Sequence, residues 1–210
     1  EDKQLSAGAR ILDKKMHGLI TTVIAAGDFE GKLNQIAVIY TQGAIPAQRI
    51  VLTGMGKRGE LDREKLRAAF AKAAQHIRGM NVKRFAVARD LGLSTLPAAE
   101  ATEAIVEGVY LGLYQFTPFK TLERDKIKET KEFVILEEKE ANIPKIKAAV
   151  KTAETICRAV CFARDLVSTP GNEMTPSDLA REAETMAAAR KKVHVQIIDV
   201  QKMKELGIDR

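Results

Sequence analysis

The sequence predicts an α/β fold: a layered domain of helices and short strands, then a long helix, then the first helix–strand unit of a second α/β domain. Three observations carry this. Short β-branched runs (QIAVIY at 35–40, RIVLT at 49–53, FVIL at 133–136) alternate with longer stretches of helical period. One apolar stripe then continues from residue 143 to Val167 without a breaker. Finally RDLVSTPGNEMTP, residues 164–176, stops one helix and starts another within a few residues.

The elements follow in order. Leu12, Met16, Leu19, Ile20 and Val23 recur at helical spacing, and Gly27 suits the end of a single helix. The first two β-branched runs are separated by a brief loop with Gly43 and Pro46, so the two strands are expected to be neighbours. Asp62 is placed to cap the next helix, with Leu61 and Leu66 stapling its start and Leu66, Phe70, Ala73 and Ile77 on its core face. Val82–Ala88 reads as a strand. In the helix at 98–113, Ile105, Val109 and Leu113 share one side, and Gly108 and Gly112 lie where another backbone can come close. Pro144 fits the first turn of the long helix, whose stripe is Ile146, Val150, Ala153, Cys157 and Val160. At 1.5 Å per residue it reaches about 35 Å, the length of a strut between domains. Beyond it, Thr175, Pro176 and Asp178 spell a capped helix start, with Met174 and Leu179 as staple and Leu179, Ala183 and Met186 as the buried face. VHVQIIDV, residues 193–200, reads as a strand.

Composition narrows the function. With 210 residues, 45% hydrophobic and 30% charged, the chain suits one large domain or one domain plus part of another. No apolar run approaches the roughly 20 residues of a membrane span, and no membrane partner is expected. The only cysteines, Cys157 and Cys161, lie four apart on one helix and form no disulfide framework, which points to a reducing, cytoplasmic setting. The net charge of +6 permits nucleic-acid binding, but basic and acidic residues interleave, as in Asp62-Arg63-Glu64-Lys65, so an ordinary solvated surface is favoured. Glu1 in place of Met, and a last segment KELGIDR that stops just past a helix end, lead to the expectation of a piece of a longer protein.

Residue chemistry nominates few sites. GMGKRG, residues 54–59, follows a strand and precedes a helix, the setting of a phosphate loop. It has neither P-loop nor G-x-G-x-x-G spacing, and Glu60 opposes an anion, so a structural turn is expected, with a nucleotide or ADP-ribose site as the alternative. His17, His76 and His194 fall in separate elements, with no HExxH. Cys157 and Cys161 read as core thiols rather than metal ligands. Ser168 and Thr169 lack a G-x-S-x-G elbow and read as helix-ending residues, and Glu137-Glu138 as a solvated turn. Taken alone, these residues describe a binding or interaction module.

ARDLVSTPGNEMTPSDLA, residues 163–180, is more specific. It resembles the leucyl aminopeptidase (cytosol aminopeptidase) family, whose stretch reads A-R-D-L-V-N-T-P-x-N-E-x-T-P-x-x-L-A. Ser168 stands where the family has Asn. GMGKRGELDREKLRAA resembles the family's glycine turn and following helix. EGVYLGLYQFTPFK, residues 107–120, resembles E-G-x-x-L-G-x-Y-x-F-x-x-Y-K, with Phe119 for Tyr. The resemblance covers nearly the whole chain. It implies a macro-domain-like three-layer α/β sandwich at 1–144 lacking its first strand, a linker helix at 145–167, and the start of a metallopeptidase catalytic domain at 168–210. It further implies a parent that removes N-terminal residues, leucine favoured, from peptides, using two divalent ions (Mn or Zn), as a cytoplasmic homo-hexamer. The family's N-T-D-A-E-G-R metal motif does not occur here. No residue is therefore assigned a catalytic, cofactor-binding or metal-ligating role, and this portion is expected to be inactive alone, serving assembly and access to the active sites.

Overall fold

The computed structural model describes residues 5–88 and 96–208; the chain's last two residues, and so the end of KELGIDR, lie outside them. The chain divides into two compact units, Glu1–Cys161 and Phe162–Arg210. The first is mixed α/β, in the order α1 (Ala7–Lys15), α2 (Leu19–Ala25), β1 (Ile36–Tyr40), β2 (Arg49–Thr53), α3 (Arg63–Gly79), β3 (Arg84–Ala88), α4 (Ala98–Leu113) and β4 (Glu132–Leu136). Helix α5 (Ile143–Ser168) follows, and the second unit adds α6 (Pro176–Ala188) and α7 (Val200–Glu205).

The expected first helix is two helices. Their periodicity is continuous because Met16 and Ile20 both enter the core, but the backbone breaks at His17 (φ 54°) and Gly18 (φ 83°). The break is held by Asp13, whose carboxylate reaches past the turn to the new helix start. Its Oδ1 accepts from the Ile20 amide at 2.7 Å and the Thr21 amide at 3.1 Å, and its Oδ2 from the Thr21 hydroxyl at 2.5 Å. One acid thereby satisfies amides that the first turn of α2 leaves without partners.

β1 and β2 pair antiparallel, Val38 opposite Val51, as the brief loop between them predicts. β3 and β4 pair in parallel, with Phe85 opposite Phe133 and their rings stacked at 5.8 Å. Among the described residues these are two separate two-stranded ladders. Asp62 caps α3 by accepting from the Lys65 amide at 2.7 Å, and the predicted face of Leu66, Phe70, Ala73 and Ile77 is buried. Of these, Leu66 and Phe70 join Leu61, Val87, Ala104, Ile105 and Val109 in the larger core, with Met55, Phe85 and Phe133 packed against it. A smaller core forms around Met16, Ile20 and Ile39.

In α5 the stripe is buried at Ile146, Ala153 and Cys157 and gone by Val167, which is 86% exposed. In the second unit the start of α6 is as expected, but its core face is not. Leu179 is 50% and Met186 40% exposed, because no element among that unit's described residues covers them. The expected strand at 193–200 does not form either. Residues 193–199 take no regular structure, since a strand needs a neighbour for its ladder bonds and the described residues supply none. Asp199 instead caps α7, accepting from the Lys202 amide at 2.8 Å.

Candidate functional site

The 54–60 loop connects β2 to α3, and the amides of Gly54, Gly56 and Glu60 are committed to the protein itself. The Gly54 amide donates to the Gln35 carbonyl at 2.8 Å, and the Gly54 carbonyl accepts from Asn34 at 3.0 Å. The Gly56 amide donates to the Gly31 carbonyl at 3.0 Å and the Glu60 amide to that of Lys57 at 3.0 Å. A Cβ on Gly54 would lie 1.9 Å from the Lys32 carbonyl oxygen, so glycine is required for two backbones to meet here. The side chains are engaged too: Lys57 and Lys65 each lie 3.5 Å from a Glu60 carboxylate oxygen, and Lys65 Nζ donates to the Glu60 carbonyl at 2.8 Å. A phosphate cradle needs amides that point at the ligand. Here the amides of Gly54, Gly56 and Glu60 point at carbonyls.

The most tightly built polar constellation lies between α3 and α4. Gly108 and Gly112 let the helices meet closely: a Cβ on Gly108 would fall 2.4 Å from the Arg67 carbonyl, and one on Gly112 2.8 Å from the Ala71 Cα. Beside that contact Glu107, only 4% exposed, receives two guanidinium groups. Arg63 Nη2 donates to Oε1 at 2.8 Å; Arg67 donates to Oε2 from Nε at 2.7 Å and from Nη2 at 2.6 Å. Arg63 also reaches Glu103 at 3.0 Å, and Arg67 pairs with Glu64. Burial works against the Arg67 charge, but Glu64 and Glu107 outweigh it and raise its pKa. Sequence reading missed this cluster. The signal was present: Glu107 sits inside AIVEGV, where every neighbour is apolar or small, so it was bound to be buried and to need cationic partners. The carboxylate is saturated, which makes the cluster a helix clasp rather than a reactive group.

The nominated residues are not brought together. His17, His76 and His194 are exposed in separate parts of the chain. Cys157 is buried and Cys161 half-buried, and neither is in a disulfide. Glu137 accepts from the Lys139 amide at 2.8 Å. Ser168 is the last residue of α5, and the Thr169 hydroxyl donates to the Asp165 carbonyl at 2.7 Å. Among the described residues no group of three or more His, Cys, Asp or Glu side chains is arranged to hold a metal ion.

The restart at 170–178 is a well-specified turn. The Glu173 and Met174 amides donate to the Pro170 carbonyl at 2.8 and 2.9 Å. Thr175 and Asp178 form a reciprocal capping box: Asp178 Oδ2 accepts from the Thr175 amide at 3.0 Å and hydroxyl at 2.5 Å, while Thr175 Oγ1 accepts from the Asp178 amide at 3.4 Å. The Thr175 hydroxyl, then its amide, hold the Asp178 carboxyl below the usual range.

Comparison with known proteins places these features. Residues 1–123 match the cytosol aminopeptidase family, N-terminal domain, and residues 161–210 match the catalytic domain of the same family. A probable cytosol aminopeptidase of Alkaliphilus metalliredigens (strain QYMF) is 29% identical over 209 residues, covering 99% of this chain and 42% of that protein. One from Geotalea uraniireducens (strain Rf4) is 38% identical over 184 residues, covering 84% and 35%. Among solved structures, a mutant tomato leucine aminopeptidase superposes with a TM-score of 0.80 at 28% identity, covering 96% of this chain and 39% of that one. The bottromycin maturation enzyme BotP shares the fold, with a TM-score of 0.70 at 20% identity over 88% of this chain and 38% of its own. The chain thus spans about two fifths of the length of the curated relatives it matches. With both family segments matched in order along one polypeptide, the chain belongs to the cytosol aminopeptidase family.

Proposed function

We propose that this chain is the N-terminal portion of a metal-dependent leucyl aminopeptidase, and that the whole protein releases N-terminal residues, leucine favoured, from peptides in the cytoplasm. The observation that carries this is the order of the two matched segments, N-terminal domain at 1–123 and catalytic domain at 161–210. The names of the relatives, aminopeptidases throughout, support the substrate class. BotP, a neighbour in fold, has been solved in complex with Mn, which supports a divalent ion (Mn or Zn) as the parent's cofactor. Such an ion would supply Lewis acidity to the scissile carbonyl and to water. The described residues do not fit that group, having no ligand cluster, so no step is assigned to them. Their role is assembly, as a homo-hexamer, and shaping of access.

For the domains we propose 1–144 as the N-terminal domain, 145–167 as linker helix and 168–210 as the opening of the catalytic domain. The first of these lacks one strand. Support comes from the two ladders, which remain separate among the described residues, β1–β2 packing in the smaller core with α1 and α2 and β3–β4 in the larger one with α3 and α4. The expected result for the purified 210-residue chain with added Mn²⁺ is no release of p-nitroaniline from leucine p-nitroanilide. Turnover above buffer, sensitive to a chelator, would overturn the assignment of this portion as non-catalytic.

A further inference from the structure

The connection from α4 to β4 is anchored to the one from α3 to β3. Lys128 Nζ donates to the Gly79 carbonyl at 2.6 Å, the Thr130 hydroxyl to that of Val82 at 2.8 Å, and the Lys131 amide to that of Lys83 at 2.8 Å. Gln115 Nε2 donates to the Lys128 carbonyl at 3.0 Å, and Arg78 Nη1 to the Leu113 carbonyl at 3.0 Å. These bonds frame an open cavity of about 350 Å³, lined by Leu113, Gln115, Thr117, Glu129, Thr130 and Lys131. Two of its members carry opposite charge. Glu129 and Lys131 are exposed and lie two residues apart, and their side chains pair neither with each other nor with any other described group.

We propose that this cavity binds a free α-amino acid with an aliphatic side chain, held by its two charges. A simple anion drawn to Lys131 would be repelled by Glu129, and a simple cation the reverse; only a dipolar ligand satisfies both. The spacing suits a small one, because two residues of chain separate the two Cα atoms by at most about 7 Å. The neutral groups of the lining complete the set. Gln115 commits its Nε2 to the Lys128 carbonyl and keeps Oε1, an acceptor that together with the Glu129 carboxylate suits an ammonium. The Thr117 hydroxyl makes no bond to a described group and can donate, with Lys131, to a carboxylate. Leu113, half-buried, is the apolar member of the lining and favours an aliphatic side chain over a charged one. Under the proposed function such an amino acid is what the parent releases; binding here does not depend on that reading.

The test is an amide NMR titration of the 210-residue chain with L-leucine. Charges this exposed are screened, so saturable shifts of the Thr117, Glu129 and Lys131 amides are expected with a Kd of about 1 mM. Leucinamide, which lacks the carboxylate, and N-acetylleucine, which lacks the ammonium, should each bind about fivefold more weakly. Glu129→Gln should weaken leucine by a similar factor without weakening N-acetylleucine, and Lys131→Met should weaken leucine without weakening leucinamide. A merely structural effect would move all three ligands alike. Both side chains are exposed, so the variants keep the fold. The proposal is overturned if leucine at about 20 mM shifts none of these amides, if leucinamide and N-acetylleucine bind as tightly as leucine, or if both variants bind leucine as the unaltered chain does.

Discussion

Glu107 shows how one buried acid fixes a helix pair. Its carboxylate is almost fully enclosed, and both oxygens accept from arginines of α3. Removing one partner of such a group leaves opposite charge uncompensated, at about 3–5 kcal/mol when the whole set is buried. Here Arg63 and Arg67 keep 36% and 27% of their side-chain surface. Glu107→Gln is therefore expected to cost about 2 kcal/mol, read as a lowered urea midpoint with an unchanged slope. Asp13 makes the pH-dependent counterpart. Burial raises its pKa, but the bonds from the Thr21 hydroxyl and the Thr21 and Ile20 amides prevail and hold it below the ordinary value. A depressed folded-state pKa means stability that is complete above the unfolded value of about 4 and lost as pH falls through the folded one. Urea midpoints at pH 6 and pH 3 should differ less in Asp13→Asn than in the wild type; equal differences would show that Asp13 contributes nothing to acid lability.

Among elements, capping chemistry was legible and partnership was not. Thr175 with Asp178, and Asp62 with Lys65, stand where the sequence puts them, because a cap is a local bond between residues three apart. Thr175→Ala should remove about 1 kcal/mol from α6, seen as lost helical ellipticity at 222 nm. The α1–α2 break escaped notice because Asp13 closes it from seven residues away while the apolar period runs on undisturbed. Residues 193–199 failed for the opposite reason: their alternation is a sound strand pattern, but a strand is a property of two segments and the second is not among those described. The same limit applied to the candidate site. Gly54 was readable as a turn, whereas the carbonyls that occupy the Gly54 and Gly56 amides come from Gln35 and Gly31, and no local pattern announces them.

For the molecule as a whole, burial is unequal between the units. α3 and α4 hold most of the fully enclosed side chains, while α6 and α7 contain none that is buried. Local stability follows burial. Amide hydrogen exchange of the 210-residue chain should show α6 and α7 exchanging at least a hundredfold faster than the middle of α3 and α4; equal protection would mean that residues 162–210 are covered in solution. The α3–α4 clasp also bears on the order of events at the ribosome. Every residue of the clasp has been made once Leu113 is added, but β4, which contributes Phe133 to the same core, begins only at Glu132. At 5–20 residues per second the nascent chain holds the helix pair for about one to four seconds before its last strand exists. A self-sufficient clasp of glycines and paired charges lets the half-made domain keep its shape during that wait.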